Sequence, residues 1–472
     1  MKFRVFILFF IYLYLFCCNL YGLDDSLKVN NTINKDSLLS LFVINDILVI
    51  GNNITKEEVI LRELKSKVNE HLNAKILEQD IIRLYNLGLF TKVDVLPLPV
   101  SENRINLIFE VNESFYFIPI PRGGIKEGDI RKIWGGLSLQ WRNFRGRNET
   151  LNFSFGVGYE PFLALSYSNP WIFDKHHYFL ETGLRYSSNY NRSTVAADTF
   201  GYYYRKNEIP TFSVNNFEAN IRVGKYLSEY VSLSANFAYN STSVSEYQPG
   251  RTISTDGNDK YPNLSAEFIY DTRDIRKFSM SGSLFNVSYT RIGLFSTVYD
   301  LNKFRLDMRK FYPIGLSKDY SITLGGRLIY GSTFGGGEIP SYYRETFGYG
   351  DIIRGWDNYV FEGENKLGYS VELRIPLVKP FYVKGIDHPL VSKIGLLKKF
   401  SYRYGLYLTA FFDSGGVWGI AQNVFDTRFY NGFGLGLNFL LPFNVVGRID
   451  TGMRREMNIY NVQFIFALDA SF

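Results

Sequence analysis

The sequence is nearly free of cysteine and poor in histidine, with 2 Cys and 4 His in 472 residues. Both thiols, Cys17 and Cys18, stand in the apolar N-terminal stretch, so the chain beyond it has no disulfide and no cysteine chemistry. His71, His176, His177 and His388 show no zinc-site spacing with a carboxylate or thiol, so neither a metal nor a cofactor is expected. Long apolar runs are missing too. After the N-terminus none reaches the roughly 20 residues of a membrane-spanning helix, which excludes a helical transporter. A net charge of +6 is modest for this length and does not indicate nucleic acid. Aromatic rings, by contrast, are abundant: 41 Phe, 35 Tyr and 5 Trp make up 17% of the chain. Few soluble folds have interior volume for so many rings, whereas an outer surface facing lipid has room for them.

Lys2 and Arg4 precede an apolar stretch from Val5 to Cys18, the charged n-region and short h-region of a secretory signal peptide, with cleavage expected after Gly22. Residues 1–22 are therefore read as signal and the polar, unpatterned residues 23–42 as a linker. Residues 43–113 read as a small α+β module. Phe42 to Ile50 is an apolar strand closed by the turn signal Gly51-Asn52. Thr55-Lys56-Glu57-Glu58 has capping-box spacing, which predicts Thr55 as N-cap of a helix continuing through Val59, Ile60 and Leu64. Ile76, Leu77, Ile81, Leu84 and Tyr85 form a second helical stripe that ends at Gly88. Val93 and Val95 alternate on one following strand, and Ile105, Leu107, Phe109 and Val111 on the next. These aliphatic stripes read as core, not as a ligand pocket.

From 114 to 472 the sequence alternates at period 2. Phe433, Leu435, Leu437 and Phe439 share one face, and Gly432, Gly434, Gly436 and Asn438 the other. Tyr178, Leu180, Leu184 and Tyr186 likewise oppose Glu181, Gly183 and Arg185. This suits lipid outside and a wet interior, and the segments amount to about 16 antiparallel strands of an all-β transmembrane barrel. The first strand, near 115–121, contains Pro119 and Pro121, which suits an edge because proline cannot donate to a ladder. Segments 189–212, 245–261 and 333–363 stay long, and parity puts them on the cell surface. Segment 377–402 falls at the opposite end and carries five lysines, with Leu390, Val391, Ile394 and Leu397 at helical spacing. It reads either as an amphipathic helix on headgroups or as a plug of the barrel mouth. Asp413-Ser414-Gly415-Gly416 ends a strand and is no protease motif, and the Gly432-Gly434-Gly436 stripe is no dinucleotide loop. No enzyme activity is expected.

Two constellations carry a resemblance. Gly51-Asn52 with Thr55, Ile60 to Leu64, Leu84 to Val93 and Phe109-Glu110-Val111 resemble a POTRA domain of the BamA/TamA superfamily of outer-membrane insertases. Ile352-Ile353-Arg354-Gly355-Trp356 resembles the V-R-G-F/Y motif of the sixth extracellular loop in the same superfamily. The resemblance implies that Arg354 folds into the lumen and pairs with acidic groups on the next two strands. Strand parity turns Glu372 and Asp413 inward on those strands. Arg354, Gly355, Trp356, Glu372 and Asp413 would then form a loop clasp, with Trp356 stacked beside the guanidinium. Phe464, Phe466, Leu468 and the terminal Phe472 share a face and resemble a C-terminal β-signal.

The implied protein is a single-POTRA member of the surface-antigen type in the bacterial outer membrane, its POTRA-like domain in the periplasm. Its implied function is outer-membrane protein insertion. Its partners would be unfolded barrel clients, outer-membrane lipid, and periplasmic chaperones or accessory lipoproteins. A two-partner-type secretion pore is the alternative. A passive porin would explain the barrel but not residues 43–113.

Overall fold

The computed structural model describes residues 41–125, 130–173, 177–191, 203–205, 211–317, 320–384, 401–441, 445–456 and 459–467. The signal segment, the linker up to residue 40, the helical stripe from Leu390 to Leu397, Leu468 and Phe472 all lie outside the described residues. The chain forms two compact units, one built mainly before Ile118 and one mainly after it.

The first unit contains β1 (Val43–Ile50), α1 (Glu57–Leu61), α2 (Ala74–Asn86), β2 (Phe90–Ser101) and β3 (Arg104–Glu113). β3 is the central strand of the sheet, parallel to β1 and antiparallel to β2. Alternate residues of β3, namely Ile105, Leu107, Phe109 and Val111, meet Val59 and Ile60 of α1 and Leu84 of α2 in a closed apolar core. Tyr85, assigned to the same stripe by its spacing, is exposed instead.

The capping box does not form. Lys56 occupies the N-cap of α1 and makes no side-chain bond there. Thr55 is buried one residue earlier, its hydroxyl donating to Glu113 Oε1 at 2.6 Å and bonded to the Tyr116 hydroxyl at 3.0 Å. A carboxylate at the end of β3 is a charge-assisted acceptor, so it competes successfully for a hydroxyl that would otherwise accept from the helix. Burial pushes the Tyr116 phenol up to about 12.

Asp80 of α2 is fully buried and accepts from the backbone N–H groups of Lys65 (2.7 Å) and Ser66 (3.0 Å). Asp80→Ala strands both donors, a loss on the order of 1–3 kcal/mol. The expected outcome is faster hydrogen exchange of the β3 amides in the full chain; unchanged protection would mean that these two bonds contribute nothing to holding the unit closed.

The second unit begins with β4 (Phe117–Ile125), β5 (Ile133–Phe144), β6 (Glu149–Gly158), β7 (Phe162–Asn169) and β8 (Tyr178–Asn191). A short β9 (Tyr203–Arg205) interrupts the next loop. β10 (Phe212–Tyr226), β11 (Val231–Val244), β12 (Asn258–Asp271), β13 (Gly282–Ile292), β14 (Leu301–Ser317) and β15 (Tyr320–Gly335) follow. β16 (Glu345–Phe347) and β17 (Tyr359–Gly363) lie in the loop after β15. The chain then continues through β18 (Asn365–Lys384), β19 (Ser401–Trp418), β20 (Tyr430–Leu441), β21 (Val445–Glu456) and β22 (Ile459–Ala467).

Sixteen of these strands form one barrel-like sheet in chain order from β4 to β22, the number the alternation predicted. Each strand hydrogen-bonds its neighbour in sequence, so every apolar outward face continues onto the next. Phe433 and Leu435 of β20 are exposed on the outside, while Gly432, Gly434, Gly436 and Asn438 are buried on the inside.

Two expectations need correction. Segment 377–402 is not all loop, because β18 runs on to Lys384 and β19 begins at Ser401. Pro376 and Pro380 obscure the alternation there. Register shifts between Pro376 and Val378 and between Val378 and Phe381 let the strand continue past them. The loops 189–212 and 333–363 are also not free: β9 and β16 pair on either side of β17 in a separate three-stranded sheet. Among the described residues no helix is long and apolar enough to cross a membrane, which says nothing against crossing by strands.

Candidate functional site

The loop between β15 and β18 lies against the inner face of the sheet, and Arg354 is its most buried cation, 2% exposed. Its guanidinium forks onto Asp413 of β19, with Nε to Oδ2 at 2.7 Å and Nη2 to Oδ1 at 2.8 Å. The Arg354 backbone N–H donates to the same carboxylate at 3.1 Å. Nη1 reaches Glu372 of β18 at 2.7 Å. The other oxygen of Glu372 accepts from Arg374 Nε at 2.9 Å.

Asp450 of β21 is a third carboxylate, fully buried, 3.1 Å from Arg448 Nε and 3.8 Å from Arg354 Nη1. Three buried arginines thus face three buried carboxylates, a balance that makes their burial tolerable. Sequence reading missed Asp450, although the period-2 pattern of β21 that exposes Ile449 turns its neighbour inward.

Trp356 is not the ring beside Arg354. That ring is Phe411, whose face lies 3.5 Å from the guanidinium carbon. Gly355 has φ +93, a left-handed turn that diverts the chain and sends Trp356 toward β20. There its indole N–H donates to the Asn431 carbonyl at 2.9 Å, and its face covers Arg454 at 4.9 Å. Ile353, Trp356, Tyr359 and Phe361 pack with Ile329, Phe347, Val417 and Tyr430 in one apolar cluster.

The glycine stripe on β20 has its role here. A Cβ at Gly432 would collide with the Arg354 carbonyl, and one at Gly452 of β21 would stand 2.5 Å from the Gly355 nitrogen. The inner wall is bare where the loop backbone lies on it.

A second buried ion cluster holds the front of the same loop. Glu345 of β16 is fully buried, 2.9 Å from Lys303, 3.1 Å from Lys366 and 3.4 Å from Arg305. Asp351 bonds Arg327 and Lys366, each at 2.9 Å. Inward-facing lysines on β14 and β18 were the available signal for this cluster in the sequence.

Beyond the loop a cavity of about 1440 Å³ reaches both end strands of the sheet, with Gly123 and Gly124 of β4 on one flank and Ile465 and Ala467 of β22 on the other. Phe464 and Phe466 are exposed on the outer face of β22. Among the described residues no group of three His, Cys, Asp or Glu is placed to hold a metal ion.

A sixteen-stranded sheet, apolar outside and charged within, preceded by a module of one strand, two helices and two strands, defines a POTRA-bearing outer-membrane β-barrel. The chain belongs to the Omp85 superfamily: residues 143–387 match the Omp85 superfamily domain, and residues 42–114 match POTRA, the surface antigen variable number repeat. Members of this superfamily are non-enzymatic transport and insertion barrels of outer membranes, bacterial or organellar, and act on polypeptides.

BamA from Haemophilus ducreyi lacking POTRA domains 1-3 is similar with a TM-score of 0.59 and 16% identity, over 90% of this chain and 84% of that one. CdiB from Escherichia coli gives a TM-score of 0.59 and 13% identity, over 91% of this chain and 75% of that one. At such identities the likeness is one of fold. Outer envelope protein 80, chloroplastic, of Arabidopsis thaliana is 26% identical over 130 residues, which are 25% of this chain and 17% of that protein.

Proposed function

We propose that this chain is a bacterial outer-membrane insertase that receives client strands at its POTRA domain and assembles β-barrel proteins into the outer membrane. The observation that carries the reading is the pair of end strands. The sheet terminates in β4 and β22, and the cavity reaches both. Pro119 and Pro121 leave β4 poor in donors on its own account, as suits an edge that opens. A free strand edge inside a membrane templates another strand, which is the physical work an insertase does.

In this reading residues 43–113 are the periplasmic POTRA-like domain and residues 114–472 the barrel. Clients arrive as unfolded chains, handed on by periplasmic chaperones or accessory lipoproteins, and add to an edge of the POTRA sheet through main-chain bonds indifferent to sequence. Arg354, Gly355, Trp356, Glu372 and Asp413 form the clasp that keeps the loop in the lumen. Phe464, Phe466, Leu468 and Phe472 form the signal by which the chain itself is assembled.

The likeness to CdiB supports a second reading, a two-partner-type secretion pore. Against it, residues 23–42 are too polar and too short to resemble an N-terminal plug helix. Depletion of the protein separates the two. An insertase lowers the level of every outer-membrane barrel, whereas a secretion pore lowers a single exported protein and leaves the barrels intact. The second outcome would overturn the insertase reading.

A further inference from the structure

Residues 354–357 touch five consecutive strands. Arg354 bonds Glu372 of β18 and Asp413 of β19. The Trp356 indole donates to Asn431 of β20, and the Gly355 carbonyl accepts from Arg454 Nη1 of β21 at 2.7 Å. The last step lands on the terminal strand: the Asp357 backbone N–H donates to Gln463 Oε1 of β22 at 3.0 Å.

That final contact differs in kind from the others, because β22 is the end of the sheet. It pairs with β21 from Glu456↔Ile459 to Arg448↔Ala467, and among the described residues the sheet order gives it no second neighbour. Its outer residues reflect the open flank, with Phe466 74% exposed against 37% for Phe433 on the doubly paired β20. Gln463 sits opposite Gly452 in the β21 register, the same glycine over which the loop backbone lies. The absent side chain at 452 leaves the space in which the Gln463 amide meets the loop.

We infer that Gln463 is a positioning residue through which the loop holds the terminal strand against the inner wall. β22 is then fixed by two independent attachments, the β21 ladder along one edge and the strap of 354–357 across its inner face. Releasing the strap loosens β22 selectively, because β18 to β21 each keep ladders on both sides. The inference gives the clasp of the proposed function a second role, at the opening edge, and so rests on that reading for its functional meaning.

The test reads the strand directly and does not depend on insertion activity. Hydrogen exchange of the full-length protein in detergent is compared for the native chain, Gln463→Leu and Gln463→Glu. Leucine fills the same volume without an acceptor, and glutamate keeps an acceptor oxygen in place. Gln463→Leu is expected to speed exchange of the β22 amides about fivefold, the factor carried by one hydrogen bond of ordinary net strength. β20 should not change, and Gln463→Glu should retain native protection. In an Arg354→Ala background, Gln463→Leu should add nothing, since the strap is already free. Unchanged β22 protection in Gln463→Leu, an equal rise in every strand, or full additivity with Arg354→Ala would each overturn the inference. A depletion experiment pointing to a secretion pore would leave these exchange results standing.

Discussion

Arg354→Ala is expected to loosen the loop between β15 and β18 around residue 354 and, if the protein is the insertase proposed above, to remove most of the assembly function. The substitution leaves Glu372, Asp413 and Asp450 crowded together, with only Arg374 and Arg448 for compensation. All three carboxylates are buried, so breaking the pair costs on the order of 3–5 kcal/mol, chiefly from uncompensated charge. The stretch around residue 354 then regains conformational freedom, while Glu345 and Asp351 still hold the front of the loop. Arg354→Lys should rescue only in part. Lysine offers one point charge on a flexible stem, whereas the guanidinium makes a two-bond fork to Asp413 and a third bond to Glu372 at once. Limited proteolysis of residues 336–363 and complementation of a depletion strain are the measurements. If the lysine variant were as protected and as active as the native chain, fork geometry would be irrelevant and Arg354 only one more lumen charge.

The second large effect is expected from closing the seam. Gly124 and Ile465 line the same cavity from the two end strands. The chain beyond residue 18 contains no cysteine, so Gly124→Cys with Ile465→Cys provides a unique thiol pair. On the insertase reading, joining the thiols with a short bifunctional maleimide should abolish client insertion, while each single variant treated with the same reagent stays active. Reaction of the pair with a reducible linker, followed by reductant, should restore function. Insertion by a quantitatively joined protein would show that β4 and β22 need not separate.

Much of this arrangement could be read from the sequence, because period-2 alternation is a local signal with a global meaning. Tyr369 and Val371 point outward, so Glu372 points inward; Phe412 points outward, so Asp413 points inward. Both carboxylates lie beside Arg354. What alternation cannot provide is register across strands. The identity of the ring over Arg354 depends on which β19 residue stands level with the loop, and that residue is Phe411, not the neighbouring Trp356. Asp450 escaped for the same reason, since its relevance depends on β21 lying two strands from Asp413. The extended β18 was hidden by Pro376 and Pro380, which interrupt the pattern without ending the strand. Thr55 shows the opposite failure: its local capping motif is sound, but Glu113, 58 residues away, is the stronger partner.

The hydrogen-bond partners that residues 354–357 find on the wall of the sheet are all downstream of them in the chain. Glu372, Asp413, Asn431, Arg454 and Gln463 are still unmade or unpaired when the loop itself has been synthesised and its preceding strands laid down. Residues 354–357 therefore cannot complete their contacts with the wall until β22 is in place, whereas the front of the loop already finds Lys303, Arg305 and Arg327 on strands that precede it. The Asp357 contact is the last of these to form, and a molecule truncated before Gln463 keeps the bonds to Glu372, Asp413, Asn431 and Arg454 but leaves the Asp357 N–H without its Gln463 partner.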